Sequence, residues 1–401
     1  MGRTVLSGGR IYDGTGAAPS DADLAIDGGW IVDIAPRLDG DERVDVTGST
    51  LLPGFFDCHT HVLVSHVDEW RNLQTPFSYR FFEAARNLAV TLEIGITTVR
   101  DAGGADLGIK KAQADGLVAG PRLQISLSMI SQTGGHGDSW VASGIRVPFF
   151  VPHPGVPTTI VDGPDEMRRT VRELVRNGAD VIKVATSGGV LSPRDKPTHA
   201  HLRDDELAVL VAEATAAGIP VMAHAQASDG IKNAVRAGIR SIEHGIYLDD
   251  EAIQLMLDRG TYLVPTLVAP AGVVKAAAAG ASIAEGALEK AREVIEIHRD
   301  SFRRAVAAGV RIAMGTDSGV TPHGENLDEL ALMGDGGMSP QQVWQATTSA
   351  AAELLGVADE LGTLEVGKRA DVVVLEGDPE DLTNLRSRVA AVYQDGVRVA
   401  G

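Results

Sequence analysis

VRAGIRSIEH, residues 235–244, reads as the close of a helix, a glycine and a short β-branched strand that ends on histidine. The same order recurs in LEIGITTVRD (92–101), VRNGADVIKV (175–184), TAAGIPVMAH (215–224), LDRGTYLVPT (257–266) and VAAGVRIAMGTD (306–317). Gly95, Gly178, Gly218, Gly238, Gly260 and Gly309 each fit the residue just past a helix, where a left-handed backbone carries no Cβ penalty. Acidic or hydroxyl N-caps are expected to open several of the helices, as in DGPDEMRRTVRELV, RDDELAVLVAEA, SDGIKNAVRA and DDEAIQLMLDR. Adding STLLPGFFDCH before the first unit and PRLQISLSM after it gives eight candidate strands alternating with helices. That count points to a (β/α)8 TIM barrel, although a doubly wound open sheet has the same local grammar.

The strand ends carry the chemistry. They are His59 and His61, Asp101, Lys183, His224, His244, Thr266 and Asp317. In a closed parallel barrel the C-terminal strand ends share one face, so groups far apart in sequence would converge. The flanks read differently, as short strands with Gly/Asp turns. We expect residues 1–53 and 359–401 to pair into one small β-sandwich beside a barrel spanning 54–358.

The chain has 401 residues and a formal net charge of -18, which gives neither nucleic acid nor an anionic bilayer a surface to bind. Its first residues lack the basic start and apolar core of a secretory signal, so a cytoplasmic protein is expected. Cys58 is the single cysteine, which excludes internal disulfides and a Cys-rich zinc module. Any metal here must rest on histidine, carboxylate or a modified side chain.

In an extended strand residues i and i+2 point the same way, so His59 and His61 present both imidazoles to one point. His66 lies off that spacing and reads as a loop residue. His224 and His244 could each be a hydrogen-bonded core histidine, and Asp317 an ordinary N-cap. Their shared position at strand ends argues for metal ligands instead. Lys183 is the odd member, because an ammonium is repelled by cations. It could form a salt bridge with Asp101 or Asp317, or be carboxylated and bridge two ions as a carbamate.

The set LLPGFFDCHTHV, TTVRDAGG, VIKVATSGGVLSP, HA, SIEHG, GTDSG and LGTLEVGKRADVVVL, in this order, resembles the amidohydrolase superfamily. It is similar in particular to the prolidase-like branch of Xaa-Pro dipeptidases and N-acyl amino acid hydrolases. The resemblance implies two divalent cations, usually zinc. His59, His61 and Asp317 would hold the more buried ion, His224 and His244 the more exposed one, and carboxylated Lys183 would bridge them. It further implies cleavage of a peptide-like amide by a metal-bridged hydroxide. Asp317 would then carry the proton to the departing amine, with His136 and His244 as the other catalytic groups. The alternative is a carbamate, urea or cyclic-amide hydrolase using the same centre.

Deaminases and imidazolone-ring hydrolases of the superfamily carry an acid three positions after the fifth-strand histidine. Here HAQA puts Ala227 there, which favours peptide-like amides. The long segment 131–165 reads as a lid or specificity wall, with Trp140, Phe149 and Phe150 favouring an apolar group. His136 matches a position that in related dipeptidases meets the substrate carboxylate or scissile carbonyl. Gln226 stands where several relatives have a carboxylate-binding tyrosine. Arg194, with Lys196, His199 and His201 near it, could supply positive charge to the substrate instead. A homo-oligomer is expected.

Overall fold

The computed structural model describes residues 2–148 and 150–401. The first barrel strand, Phe55–Thr60, pairs in parallel with the second, Ile96–Asp101, and that with the third, Arg122–Ile125. Leu127 then adopts φ 67° and Met129–Ile130 continues the wall, pairing with the fourth strand, Ile182–Ala185. Val221–Ala225, Ser241–His244 and Tyr262–Val264 follow, each parallel to the one before.

The eighth position, 311–314, is held by bridging rather than by a long ladder. Leu263 bridges Ile312, and Cys58 N–H donates to the Met314 carbonyl at 2.9 Å. Asp317 N–H donates to the His59 carbonyl at 2.7 Å. The last strand therefore meets the first, and the doubly wound alternative falls. All six junction glycines take positive φ, from 64° at Gly260 to 94° at Gly238.

The crossover helices include Pro164–Arg176, Asp204–Ala216, Ser228–Ala237, Asp250–Arg259 and Ala287–Ala308, whose buried faces pack on the strands. The N-cap expectation holds at Asp249, which accepts from Ala252 N–H at 2.8 Å. It fails at Gly163, Arg203 and Ala227. There the acids Asp165, Asp204 and Asp229 sit within the first turn, where a carboxylate meets the positive end of the helix dipole without capping it.

Strands from both chain ends make two further sheets. One runs in the order Val397–Ala400, Val389–Gln394, Val372–Glu376, Ser49–Pro53, Arg10–Ile11 and Ser20–Asp21, and the other contains Trp30–Ala35, Asp23–Asp27, Thr4–Ser7 and Glu42–Asp45. Their inner faces share a core of residues such as Leu24, Ile31, Leu51, Val372 and Tyr393. Gly54 alone separates Ser49–Pro53 from the first barrel strand, and a Cβ there would stand 2.3 Å from Thr97 Oγ1.

An ion pair ties this sandwich to the barrel. Asp371, 4% exposed, faces the Arg122 guanidinium with Nη2 at 3.1 Å, and Arg122 also reaches Asp395 at 2.6 Å. Asp371→Ala leaves a largely buried guanidinium with one partner fewer. It is expected to destabilise the fold by about 2–3 kcal/mol, read as a lower midpoint in urea unfolding; an unchanged midpoint would mean that the apolar contacts alone hold the two parts together.

Candidate metal centre and catalytic cavity

His59 and His61 leave the first strand with both rings buried, each with Nδ1 turned away from the cavity. His59 Nδ1 lies 2.7 Å from Glu243 Oε2, and His61 Nδ1 lies 2.9 Å from the Gly103 carbonyl. Their Nε2 atoms approach Asp317 Oδ1 at 3.4 and 3.1 Å. His244 Nδ1 lies 2.7 Å from Thr266 Oγ1, and His224 Nε2 lies 3.1 Å from the Gly188 carbonyl. Each imidazole thus has one nitrogen engaged by an outer partner, the arrangement that orients a ligating histidine. One nitrogen each of His59 and His244 and an oxygen of Asp317 lie within 4.8 Å of one another.

The electrostatics suit a cation. Burial, aided by neighbouring charged groups, holds His224 and His244 well below the usual histidine range, which leaves both neutral near pH 7, the form a cation needs. Burial works to raise Asp317, yet hydrogen bonds and charge from His59 and His61 hold it well below the usual carboxylate range. Lys183 is 2% exposed and its Nζ has no hydrogen-bond partner among the described residues. Burial pushes it down to about 8 against the opposing pull of Glu243 and Asp317. Neither salt bridge considered for Lys183 is formed. An unpartnered buried amine amid four imidazoles and a carboxylate is a polar group whose missing interactions these side chains do not supply.

The backbone is strained here as well. Thr266 takes φ 54°, a conformation that a β-branched side chain rarely adopts, and His244 and Asp317 share the same left-handed region at φ 71° and 59°. His298 on the helix Ala287–Ala308 sets its Nε2 2.8 Å from the His244 carbonyl and helps to hold that turn. Asp101 is also a strand-end residue, but its carboxylate is spent on the N–H groups of Val62, Gly103 and Ala105 at 2.8, 2.9 and 3.1 Å. It shapes the loops and does not line the cavity.

A cavity of about 270 Å³ opens above these residues. His136 and Gln226 line it, and the Gln226 Oε1 is buried without a partner. Arg194 does not: its guanidinium points outward to Glu285 at 3.9 Å, with nearly half its side chain exposed. The turn that carries it sends only its start, through Pro193, inward. Lys196, His199 and His201 also stay out of the lining, and the cation at the rim is instead Arg146, within 3.8 Å of Asp138. Of the three aromatics expected in the lid, Phe150 covers His61 with ring centroids 5.2 Å apart, Trp140 stands outside the lining, and Phe149 lies outside the described residues.

The residues behind these strand-end side chains escaped the sequence reading. Glu243 is fully buried, and its Oε1 accepts from Arg100 Nη2 at 3.0 Å and Ser241 Oγ at 2.6 Å. Burial works to raise it, yet Arg100 and His59 hold it down at about 2, so it stays charged behind His59. Arg100 Nε donates to the Cys58 carbonyl at 2.7 Å. The available signal was a charged residue just before the strand end, Glu243 in SIEH and Arg100 in TTVRD. Asp57 belongs to the same group: it accepts from Thr316 Oγ1 at 2.6 Å and Asn326 Nδ2 at 2.9 Å and braces the turn before Asp317.

Comparison with known proteins gives the family and the fold. The model of the Amidohydrolase family matches residues 50–399. An ochratoxinase of Aspergillus niger is 34% identical over 403 residues, covering 94% of this chain and 82% of that protein. The crystal structure of A. niger ochratoxinase superposes with a TM-score of 0.86 at 31% identity, covering 100% of this chain and 96% of its own. A Xaa-Pro dipeptidase with methionine bound in its active site superposes with a TM-score of 0.90 at 33% identity, covering 99% of each chain.

Glu243→Gln keeps the shape behind His59 but removes the charge that orients it. Zinc affinity, measured by competition with a chelator, is expected to fall roughly 10- to 100-fold; unchanged retention would show that His59 needs no such support.

Proposed function

Because the chain belongs to the amidohydrolase family and is a hydrolase acting on carbon–nitrogen bonds, we propose that it is a binuclear, metal-dependent enzyme cleaving a peptide-like amide. The substrate is an N-acyl amino acid, a dipeptide or a related amide, including xenobiotic ones. The observation that carries this reading is Lys183 Nζ, buried, unpartnered and ringed by metal-ligand side chains. An amine pushed down to about 8 is neutral in a useful fraction of molecules near pH 7, and the neutral amine is the form that adds carbon dioxide.

His59, His61 and Asp317 would hold one zinc, His224 and His244 the other, and carboxylated Lys183 would bridge them. Bound there, the two cations supply a Lewis acid for the scissile carbonyl and a lowered pKa for water. The chain's own residues do the rest. Asp317, kept ionised by its histidine neighbours, accepts the proton released from the attacking water and returns it to the amine nitrogen, which leaves poorly unless protonated. His244 holds its ring against Thr266 so that one nitrogen faces this exchange. Phe150 covers His61 and keeps bulk water from that side. Gln226 offers an unpaired carboxamide oxygen to the bound substrate, and His136 a ring nitrogen.

The cavity walls explain the choice among amides. Val141, Val147, Phe150, Ile246 and Val273 make them largely apolar, which suits an apolar acyl group or side chain. The likeness to an ochratoxinase and to a Xaa-Pro dipeptidase supports an amide joined to an amino acid.

Lys183→Ala and Asp317→Asn are each expected to lower kcat/KM by roughly 100- to 10,000-fold or more while the fold persists, and ¹³C-labelled bicarbonate should give a carbamate resonance that Lys183→Ala lacks. Full activity in either variant would refute the assignment. A substrate panel sets N-acyl amino acids against carbamates, ureas and lactams; turnover confined to the latter group would move the reading to the alternative.

A further inference from the structure

The loop after the fourth barrel strand has to find partners for its backbone without a ladder. Residues 188–196 contain no helix or strand, yet Val190, Leu191, Ser192 and Pro193 line the cavity. Val190 and the partly buried Leu191 pack with Ile246, Ala269, Val273 and Val320, and all six face the cavity as one apolar wall. Backbone carbonyls drawn away from water in such a segment still need hydrogen bonds.

One side chain meets them. Lys290 Nζ donates to the Gly189 carbonyl at 2.9 Å, to the Ser192 carbonyl at 2.6 Å and to the Asp195 carbonyl at 3.4 Å. It also stands 3.8 Å from Asp195 Oδ1, while Oδ2 of the same carboxylate accepts from Gly189 N–H at 3.1 Å. An ammonium offers three N–H donors and no acceptor, so three converging carbonyls match it one for one.

Lys290 itself does not line the cavity. It stands near the start of the helix Ala287–Ala308, whose Ala291 and Val294 are buried in the same apolar cluster behind the wall. The carbonyls it holds, at 189, 192 and 195, bracket the four residues that face the cavity. Arg194 and Glu285 also join loop to helix, at 3.9 Å, but that pair lies in solvent and adds little.

We propose that Lys290 is a positioning residue for substrate selection: its ammonium holds the 188–196 loop in the shape that presents Val190 and Leu191 to the apolar group of a substrate. The selection part rests on the hydrolase reading above; the clamp does not. Without this hold a segment lacking secondary structure regains backbone freedom, and the wall it carries is no longer formed in advance of binding.

The test uses the full-length protein with two substitutions. Lys290→Met keeps the stem and removes the donors, whereas Lys290→Arg keeps the charge but spreads its donors over a planar fork. Hydrogen exchange in peptides spanning 188–196 should quicken about 10-fold or more in Lys290→Met, while the helix Asp250–Arg259 keeps its protection. Kinetics compare two series of N-acyl amino acids, one lengthening the acyl chain from acetyl to hexanoyl and one enlarging the side chain from alanine to leucine. The unsubstituted protein should favour the larger group in at least one series. Lys290→Met should cut that preference about 10-fold, chiefly through KM, the scale on which an apolar pocket discriminates. Lys290→Arg should shift it the same way, and it covers the case in which the methionine variant does not fold. Unchanged exchange in the loop, or equal losses on large and small substrates, would mean that Lys290 serves stability alone and would overturn the proposal. Exchange needs no turnover, so a protein that cleaves no amide but loosens at 188–196 in Lys290→Met would sink the function proposed above and support the clamp.

Discussion

The join between the last barrel segment and the first strand carries the most weight in this molecule. Residues 311–314 have little ladder of their own, yet Met314 and Asp317 each share a short backbone hydrogen bond with the strand that bears His59 and His61. Without that join, Asp317 would be a loop carboxylate more than 250 residues from the histidines in sequence. With it, one oxygen lies between two Nε2 atoms. Asp57 strengthens the same seam from within the first strand, accepting from the Thr316 hydroxyl and from Asn326. Closure of the barrel and assembly of the site are thus one event, because the same few backbone and side-chain bonds accomplish both.

The second constraint is electrostatic. A barrel interior is a poor solvent for charge, and isolated ions there would cost several kcal/mol each. The molecule answers by pairing in series: Arg100 with Glu243, Glu243 with His59, and His59 with Asp317. Lys183 stands outside this series, since its Nζ finds no hydrogen bond. The left-handed backbone at the β-branched Thr266 adds strain at the same place. Strain and an unmatched amine together are what a fold tolerates where ligand binding supplies the missing interactions.

Much of this was legible in the sequence because the barrel repeats. Six helix-glycine-strand junctions fixed the period, and that period placed His224, His244 and Asp317 at equivalent strand ends without any alignment. What periodicity could not supply was the use made of each end. Asp101 and His244 occupy equivalent positions, but Asp101 spends its oxygens on three backbone amides while His244 keeps a nitrogen for the centre. Loop charges were harder still. Arg194 and Arg146 look alike in sequence, and only the path of each loop decides which reaches the cavity. The acids of the first helical turns failed as N-caps for a related reason, since a cap depends on one residue's φ and ψ and not on composition.

Chemistry and selection are physically separable here. The strand-end side chains of the candidate centre stand on strands braced by buried pairs, so they have little freedom to move. The walls come largely from the loops after the third and fourth strands, which contribute Val141, Arg146, Phe150 and Leu191. His136 sits where the two systems touch: its ring stacks on His224 of the barrel, while its Nδ1 answers to Ser192 of a loop. A change in either loop can therefore alter what the cavity accepts without displacing a strand-end ligand, whereas a change at Ser192 is felt by a group in contact with the centre itself. The division of labour is thus built into the fold: the loops can vary the walls, and a few residues such as His136 keep them in register with the strand ends.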